Sequence, residues 1–212
     1  MTIACLHTAA SNIALFDEAA KTLGLPATAL SHIVMPHLLA EAELSGGMAA
    51  AQQQRLDQLL HSLTPWFDAI LITCSTLGPV ADSFIADDHR CPVYRTDRML
   101  ADHLHQMTGP SLVLCAAEST LAATRALFCP PGLAAERQPQ VELIPHAWTA
   151  FKAGEHQRYH ALIGEAVEQG RMKGAQQVAL AQVSMAAAAD SMRAEVRPLT
   201  IPQLALKVVT SL

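Results

Sequence analysis

Cys74 is the residue whose type and placement most invite chemistry. It lies in ILITCSTLGPVADS, positions 70–83, where an aliphatic run stops at Thr73 and a thiol follows between hydroxyl residues, just ahead of Leu77-Gly78-Pro79. A cysteine at the end of a strand and the start of a helix lies near unpaired backbone N–H groups. Such a position lowers a thiol pKa and favours thiolate. Thr73, Ser75 and Thr76 put hydroxyls beside the sulfur, and hydroxyls with free N–H groups make a seat for a carboxylate. The same placement also suits an inert buried cysteine in an ordinary strand–helix turn, because cysteine is among the most buried residue types.

Other groups with chemical potential stand at comparable turns. Ser11 and Asn12 follow the first apolar run and suit the cap of a helix. Glu118 is a candidate acid–base group or ammonium partner, and equally a solvated carboxylate in the first turn of a helix. Ser119 suits a cap of the helix starting near Leu121, and Ser184 can offer a hydroxyl to a carboxylate oxygen. Among ten histidines, His7 ends the first apolar run, and His32 and His146 lie near the ends of later ones. No HExxH spacing points to a metal, and none is expected. The five cysteines are an odd number without a CxxC pair, which argues against a disulfide framework or a structural metal. Cys5 and Cys115 fall within apolar runs and read as core, whereas Cys91 and Cys129 precede prolines and read as turn residues. The AASNIA turn lacks a GxGxxG pattern, which disfavours a dinucleotide.

These residues need a scaffold, and the chain alternates short aliphatic runs with alanine-rich amphipathic segments. Strands are expected at 3–6, 30–34, 69–73, 93–94, 112–115, 141–144 and 178–181, with a short one at Leu199. Helices are expected at 13–23, 48–63, 79–84, 98–107, 121–128, 156–172, 185–193 and 203–210. That alternation predicts an α/β fold with mostly parallel sheets flanked by helices. The strands are apolar throughout, as strands covered on both faces are. The order also repeats. ILITCSTLGPVADSF (70–84) aligns without gaps on VALAQVSMAAAADSM (178–192), and Ile3–Leu6 answers Leu112–Cys115 at nearly the same offset. Letter identities are few, so the repeated order of elements carries the case for an internal duplication. The expected organisation is two pseudo-symmetric lobes, 1–96 with 196–212 and 97–195, facing each other across an active-site cleft. Ligands on open parallel sheets sit outside the carboxyl ends of strands. The loops concerned are 7–12, 73–78, 116–120 and 181–185.

Composition narrows the function classes. With 212 residues, 51% of them hydrophobic, the chain can bury a substantial core. The net charge of −5, the absence of a basic cluster and only 4% aromatic residues argue against binding nucleic acid. No run approaches the ~20 apolar residues that span a membrane. The N-terminus lacks a basic region ahead of its apolar run, so a cytoplasmic location is expected.

The strand ends TCSTLG and LAQVSMA, with the opening IACLHTAASNIALFD, resemble the aspartate/glutamate/hydantoin racemase superfamily over essentially the whole chain. That superfamily also holds maleate isomerases and arylmalonate decarboxylases. The resemblance implies a cofactor-independent enzyme acting at the carbon alpha to a carboxylate of a small acid or amino acid, and a homodimer. Family members use a cysteine from each lobe, one on each face of the substrate carbon. Cys74 matches the first. The second falls at Gln182, whose amide cannot serve as an acid or base near neutral pH but can donate hydrogen bonds to an oxyanion or carboxylate. His7 stands where many relatives carry an aspartate, and could shuttle a proton in place of the missing thiol. Thr8, Ser11 and Asn12 match a loop that binds substrate carboxylate or amine. Ser119 and Thr120 match a second-lobe carboxylate loop. The expected activity is that of a racemase or epimerase with Cys74 as acid or base. The alternatives are a single-thiol decarboxylase or cis–trans isomerase of a small dicarboxylate, and a non-catalytic protein that binds small carboxylates.

Overall fold

Strand β1 (Ile3–His7) is buried at every position, and so is β3 (Ala69–Ile72), whereas β2 (Leu30–Val34) is half-buried along its length. Apolar residues on both faces of the first two place them inside a covered sheet, and the partial exposure of β2 marks it as an edge. The computed structural model describes residues 1–85 and 91–211, and it divides into two compact units. One comprises Met1–Asp97 with Pro202–Leu212, and the other Arg98–Ile201.

In the first unit the chain runs β1, α1 (Asn12–Thr22), β2, α2 (Pro36–Leu44), α3 (Ala50–Leu63), β3, α4 (Pro79–Ser83) and β4 (Val93–Arg95). All strand pairings are parallel and the order is β2-β1-β3-β4. In the register, Cys5 lies beside His32 on one side and Leu71 on the other. One face of the sheet, carrying Ala4, Leu6, Ile70 and Ile72, packs with Leu38 of α2, Leu56 and Leu60 of α3, and Val80 of α4. Alternation sends Cys5 and His7 to the opposite face, where Phe16 of α1 is fully buried with its ring 5.4 Å from that of His7.

The second unit takes up α5 (Thr96–Gln106), which begins at its edge, then β5 (Ser111–Cys115), α6 (Leu121–Phe128), β6 (Gln140–Leu143), α7 (Ala147–Lys152), α8 (His156–Met172), β7 (Gln177–Leu180) and α9 (Ala187–Asp190). Its parallel sheet has the order β6-β5-β7, extended beyond β7 by an isolated parallel bridge between Ala179 and Leu199. The strand order of the first unit therefore recurs. Helix α8 buries Tyr159, Ile163, Val167 and Gly170, a three-and-four spacing that lays one stripe on the sheet. The last helix, α10 (Ile201–Thr210), returns the chain to the first unit. Among the described residues no helix is long and apolar enough to cross a membrane.

Some elements differ from the sequence reading. Helices α2 and α7 were not expected. Both are short, and each buries only two residues, so neither leaves a periodic stripe to read. The single helix expected at 185–193 is broken into a 3-10 turn, Val183–Met185, and the four-residue α9. The Leu199 strand is reduced to its one bridge. Cys91 stands at a bend ahead of β4, as read, and is fully buried.

A buried ion cluster braces the turn that carries Cys74. Arg95 ends β4, and its guanidinium grips both carboxylate oxygens of Asp97, at 2.8 and 2.9 Å, while a third nitrogen reaches Asp82 at 2.6 Å. Burial works against its charge, but Asp97 and then Asp82 outweigh it and raise the arginine pKa further. A Cβ placed on Gly78 would stand 2.9 Å from Arg95 Nε. The guanidinium is pinned and cannot retreat. Gly78→Ala is expected to cost about 1–3 kcal/mol in urea unfolding, as overpacking of a filled site does. An unchanged midpoint would show that Arg95 is free to move.

Candidate functional site

The β1–β3 pairing continues one step beyond β3, where the Thr73 N–H donates to the Leu6 carbonyl at 3.1 Å. The chain then leaves the sheet. The N–H groups of Leu77 and Gly78 fold back onto the Cys74 carbonyl, at 3.1 and 2.9 Å, and Pro79 opens α4. This turn sets the Cys74 sulfur in the apolar layer with Leu77 and Val80. Four donors face it: the Thr8 hydroxyl, the backbone N–H groups of Leu77 and Thr76, and the Thr76 hydroxyl. Apart from that sulfur the buried Thr76 hydroxyl has no hydrogen-bond partner. Burial raises the thiol pKa above its ordinary value, and these donors only oppose the rise. The expectation of a lowered pKa is thereby corrected. A five-residue helix contributes little dipole, and the apolar shell from α2, α3 and α4 outweighs it. Cys74 rests as a thiol, a proton donor with its thiolate partners already in place.

A second arrangement lies on the opposite face of the sheet. His7 Nδ1 is 2.8 Å from Thr73 Oγ1, His7 Nε2 is 2.8 Å from His32 Nδ1, and His32 Nε2 is 3.0 Å from Asp17 Oδ1. The Thr73 hydroxyl also lies 3.0 Å from the Leu6 carbonyl, which it can serve as donor. Burial, and then the neighbouring His32, lower the His7 pKa to about 4, against a smaller opposing pull from Asp17. Cys5 lies beside these rings, and burial with Asp17 pushes its thiol up to about 12. Ligand atoms of Cys5, His7 and His32 all fall within 4.8 Å of one another, a grouping that no short sequence spacing announces. As placed, the two rings do not converge on a metal. They are nearly coplanar, at 19°, with centres 5.1 Å apart, so the 2.8 Å N···N contact is head-on. A metal on the line of both lone pairs would need about 4 Å between the nitrogens, twice a ~2.0–2.1 Å bond, and the contact is 2.8 Å.

The remaining candidates divide. Thr8, Thr73, Ser75, Thr76 and Asn12 are all buried at the carboxyl-end turns of the first sheet. Asn12 opens α1 with its Oδ1 buried and unpartnered, and Ser11 is exposed and makes no side-chain cap. Capping thus explains neither residue. In the second unit Glu118 and Ser119 are exposed. The Thr120 hydroxyl donates to the Ala117 carbonyl at 2.8 Å, and Ser184 lies 3.1 Å from the buried Tyr159 hydroxyl. Gln182 Oε1 accepts the N–H groups of Ala116 and Ala117, at 2.6 and 3.0 Å. The glutamine oxygen thus occupies the two backbone donors of the Ala116 turn. Sequence reasoning missed Asp17, Arg95, Asp97, Asp82 and Tyr159. His7 and His32 could each be placed near a strand end, but their contact follows from the parallel register, which sets His32 beside Cys5 and within reach of His7.

Three solved structures show what this architecture is similar to. Aspartate racemase from Picrophilus torridus superposes with a TM-score of 0.69 at 12% identity, covering 100% of this chain and 94% of that one. Glutamate racemase from Bacillus anthracis gives 0.66 at 11%, covering 99% and 80%. Allantoin racemase from Pseudomonas fluorescens gives 0.62 at 13%, covering 100% and 90%. The chain has the aspartate/glutamate racemase fold. No family model matches the sequence, and a search of curated proteins gives no match. In this racemase fold the thiol turn after β3 and the glutamine turn after β7 occupy equivalent places, Cys74 and Gln182 being 108 positions apart, as Ala69 and Gln177 are.

The neutral state of buried His7 has a consequence for stability. Its folded pKa of about 4 lies below the ordinary 6.5, so between those values the unfolded chain binds a proton that the folded chain refuses. The contribution is complete above about pH 6.5 and is lost as pH falls towards 4, on the order of 3 kcal/mol in all. Urea unfolding at pH 7 and 4.5 should show this loss, with a smaller loss in His7→Asn. Equal losses in the two proteins would place the sensitivity elsewhere.

Proposed function

We propose that this chain is a cofactor-independent isomerase, of racemase or epimerase type, acting at the carbon alpha to the carboxylate of a small acid or amino acid. The observation that carries the reading is the Cys74 sulfur at the end of a central strand of a racemase-type sheet, ringed by Thr8, Leu77 and Thr76 donors. Cys74 is the acid–base group. The Thr76 hydroxyl, whose one proton otherwise faces the sulfur, turns to donate to a substrate carboxylate, and the Asn12 oxygen is the acceptor for a substrate N–H. Exposed Glu118 and Ser119 remain open to solvent and to ligand. Removing an alpha proton builds charge on the carboxylate as an enediolate, and fixed hydroxyl and N–H donors act on that charge. A thiol that burial keeps protonated returns a proton readily and ionises when donors close on it.

Two observations favour a second reading, a one-sided reaction such as decarboxylation or isomerisation of a small dicarboxylate. Gln182 stands where a second thiol would stand and is committed to Ala116 and Ala117. The raised pKa of Cys74 suits a proton donor. Incubation with a panel of small amino, hydroxy and dicarboxylic acids in D2O separates the readings. The first predicts deuterium entering the alpha position of one compound, with the rate falling at least ~100-fold in Cys74→Ser. Carbon dioxide release from a malonate without such exchange would select the second. Exchange that survives the serine variant would remove Cys74 from its role.

A further inference from the structure

We propose that Asp17, His32, His7 and the Thr73 hydroxyl form a one-proton relay, in which His7 passes the proton, His32 holds it, and Asp17 positions His32. Its part in turnover rests on the isomerase reading, whereas the proton count rests on the contacts alone. The contacts run unbroken from Asp17, whose side chain is 60% exposed, through two rings to a hydroxyl one residue from Cys74. Each contact needs one proton. With Asp17 ionised, three arrangements give every contact a donor and an acceptor, and one of them puts the charge on His7, where burial disfavours it, so two remain.

In the first, Thr73 O–H donates to His7 Nδ1, His7 Nε2–H donates to His32 Nδ1, and His32 Nε2–H donates to Asp17. Both rings are neutral. The Leu6 carbonyl still accepts the Thr73 N–H. In the second, Thr73 O–H turns to the Leu6 carbonyl, His7 Nδ1–H donates to Thr73, and His32 donates both to His7 Nε2 and to Asp17. His32 is then a cation held against a carboxylate. The two arrangements differ by one proton. When Thr73 hands its O–H proton to His7 Nδ1, having taken another from water or substrate, an N–H bond forms there. The His7 Nε2–H bond breaks, and a bond forms at His32 Nδ1. Charge enters at the buried end and settles beside Asp17, and His7 never carries it.

The surroundings suit this division. His7 is fully buried and its pKa is lowered, so it passes a proton on and does not keep it. The groups facing it are Cys5 on β1, His32 on β2, Asp17 and Phe16 on α1, and Thr73 after β3. Cys5, raised to about 12, stays neutral and adds no competing charge. Asp17 is the one carboxylate among them, and it touches the outer ring, not the inner one. With glutamine and not a second thiol at position 182, the relay gives the site a place to hold the proton that Cys74 gives up or needs.

Nitrogen-15 spectra of the histidine rings in the full chain, between pH 5 and 9, test the proposal without any substrate. The expected result is one shared midpoint. There His7 exchanges an Nε2–H tautomer for an Nδ1–H tautomer while His32 becomes doubly protonated. Asp17→Asn, at an exposed position, should uncouple the change at His32 from the tautomer exchange at His7, by removing the carboxylate that orients the outer ring. A His7 that keeps one tautomer throughout, rings that titrate independently, or stoichiometric zinc binding that Cys5→Ala abolishes would each overturn it. If the D2O panel identifies a substrate, Asp17→Asn should lower kcat and shift one limb of the pH–rate profile, with KM unchanged. Loss of activity with the spectra unchanged would contradict the relay, and failure of the panel alone would leave the spectra to decide.

Discussion

A sulfur set among leucine and valine side chains ionises only if its surroundings replace the water it has lost, and the turn after β3 is built around that constraint. The Cys74 shell comes from helices far apart in the chain, and it raises the thiol pKa. The compensating donors come from the turn itself and from Thr8 at the end of β1. Neither set would hold its place if the turn were loose. Arg95 packs under Gly78, with Asp97 and Asp82 fixing its head. The ion cluster thus has a positional use: a buried charge satisfied by two carboxylates keeps a fixed shape beneath the turn.

The two units share one strand order and differ in what they place at the equivalent strand end. After β3 the backbone presents donors to a thiol, and a buried hydroxyl is left without another partner. After β7 a side-chain carbonyl consumes the two nearby N–H groups, and the hydroxyls of Thr120 and Ser184 are engaged as well. Unsatisfied buried polar atoms are costly and mark places where a ligand can complete the bonding. By that measure the turn after β3 has bonding left to offer a ligand, and the equivalent turn of the second unit is internally completed.

Much of this was legible in the sequence because it depends on local pattern. Aliphatic runs bounded by turn residues locate β1, β3, β5 and β7, and their repeated order implies the matching sheets. The placement of Cys74 at a strand end follows from ILITCSTLG alone. What was not legible depends on partners distant in sequence. The sign of the Cys74 pKa shift is set by burial in a core layer that includes Leu38, Leu56 and Leu60, which the local hydroxyl pattern does not reveal. The His7–His32 contact depends on a parallel register, and its extension to Asp17 on the way α1 faces. The orientation of the Gln182 amide depends on two N–H groups some 65 residues away. Short α2 and α7 escaped because a helix that buries two residues leaves no readable period.

The central claim is that the Cys74 turn holds a small acid with its alpha carbon against the sulfur. A crystal structure with a bound small carboxylate tests it most directly. The account predicts a carboxylate oxygen within hydrogen-bond distance of Thr76 Oγ1 and the alpha carbon about 3–3.5 Å from Cys74 Sγ, as a reacting pair requires. An acid bound elsewhere, with Cys74 still closed off by Thr8 and Thr76, would contradict it.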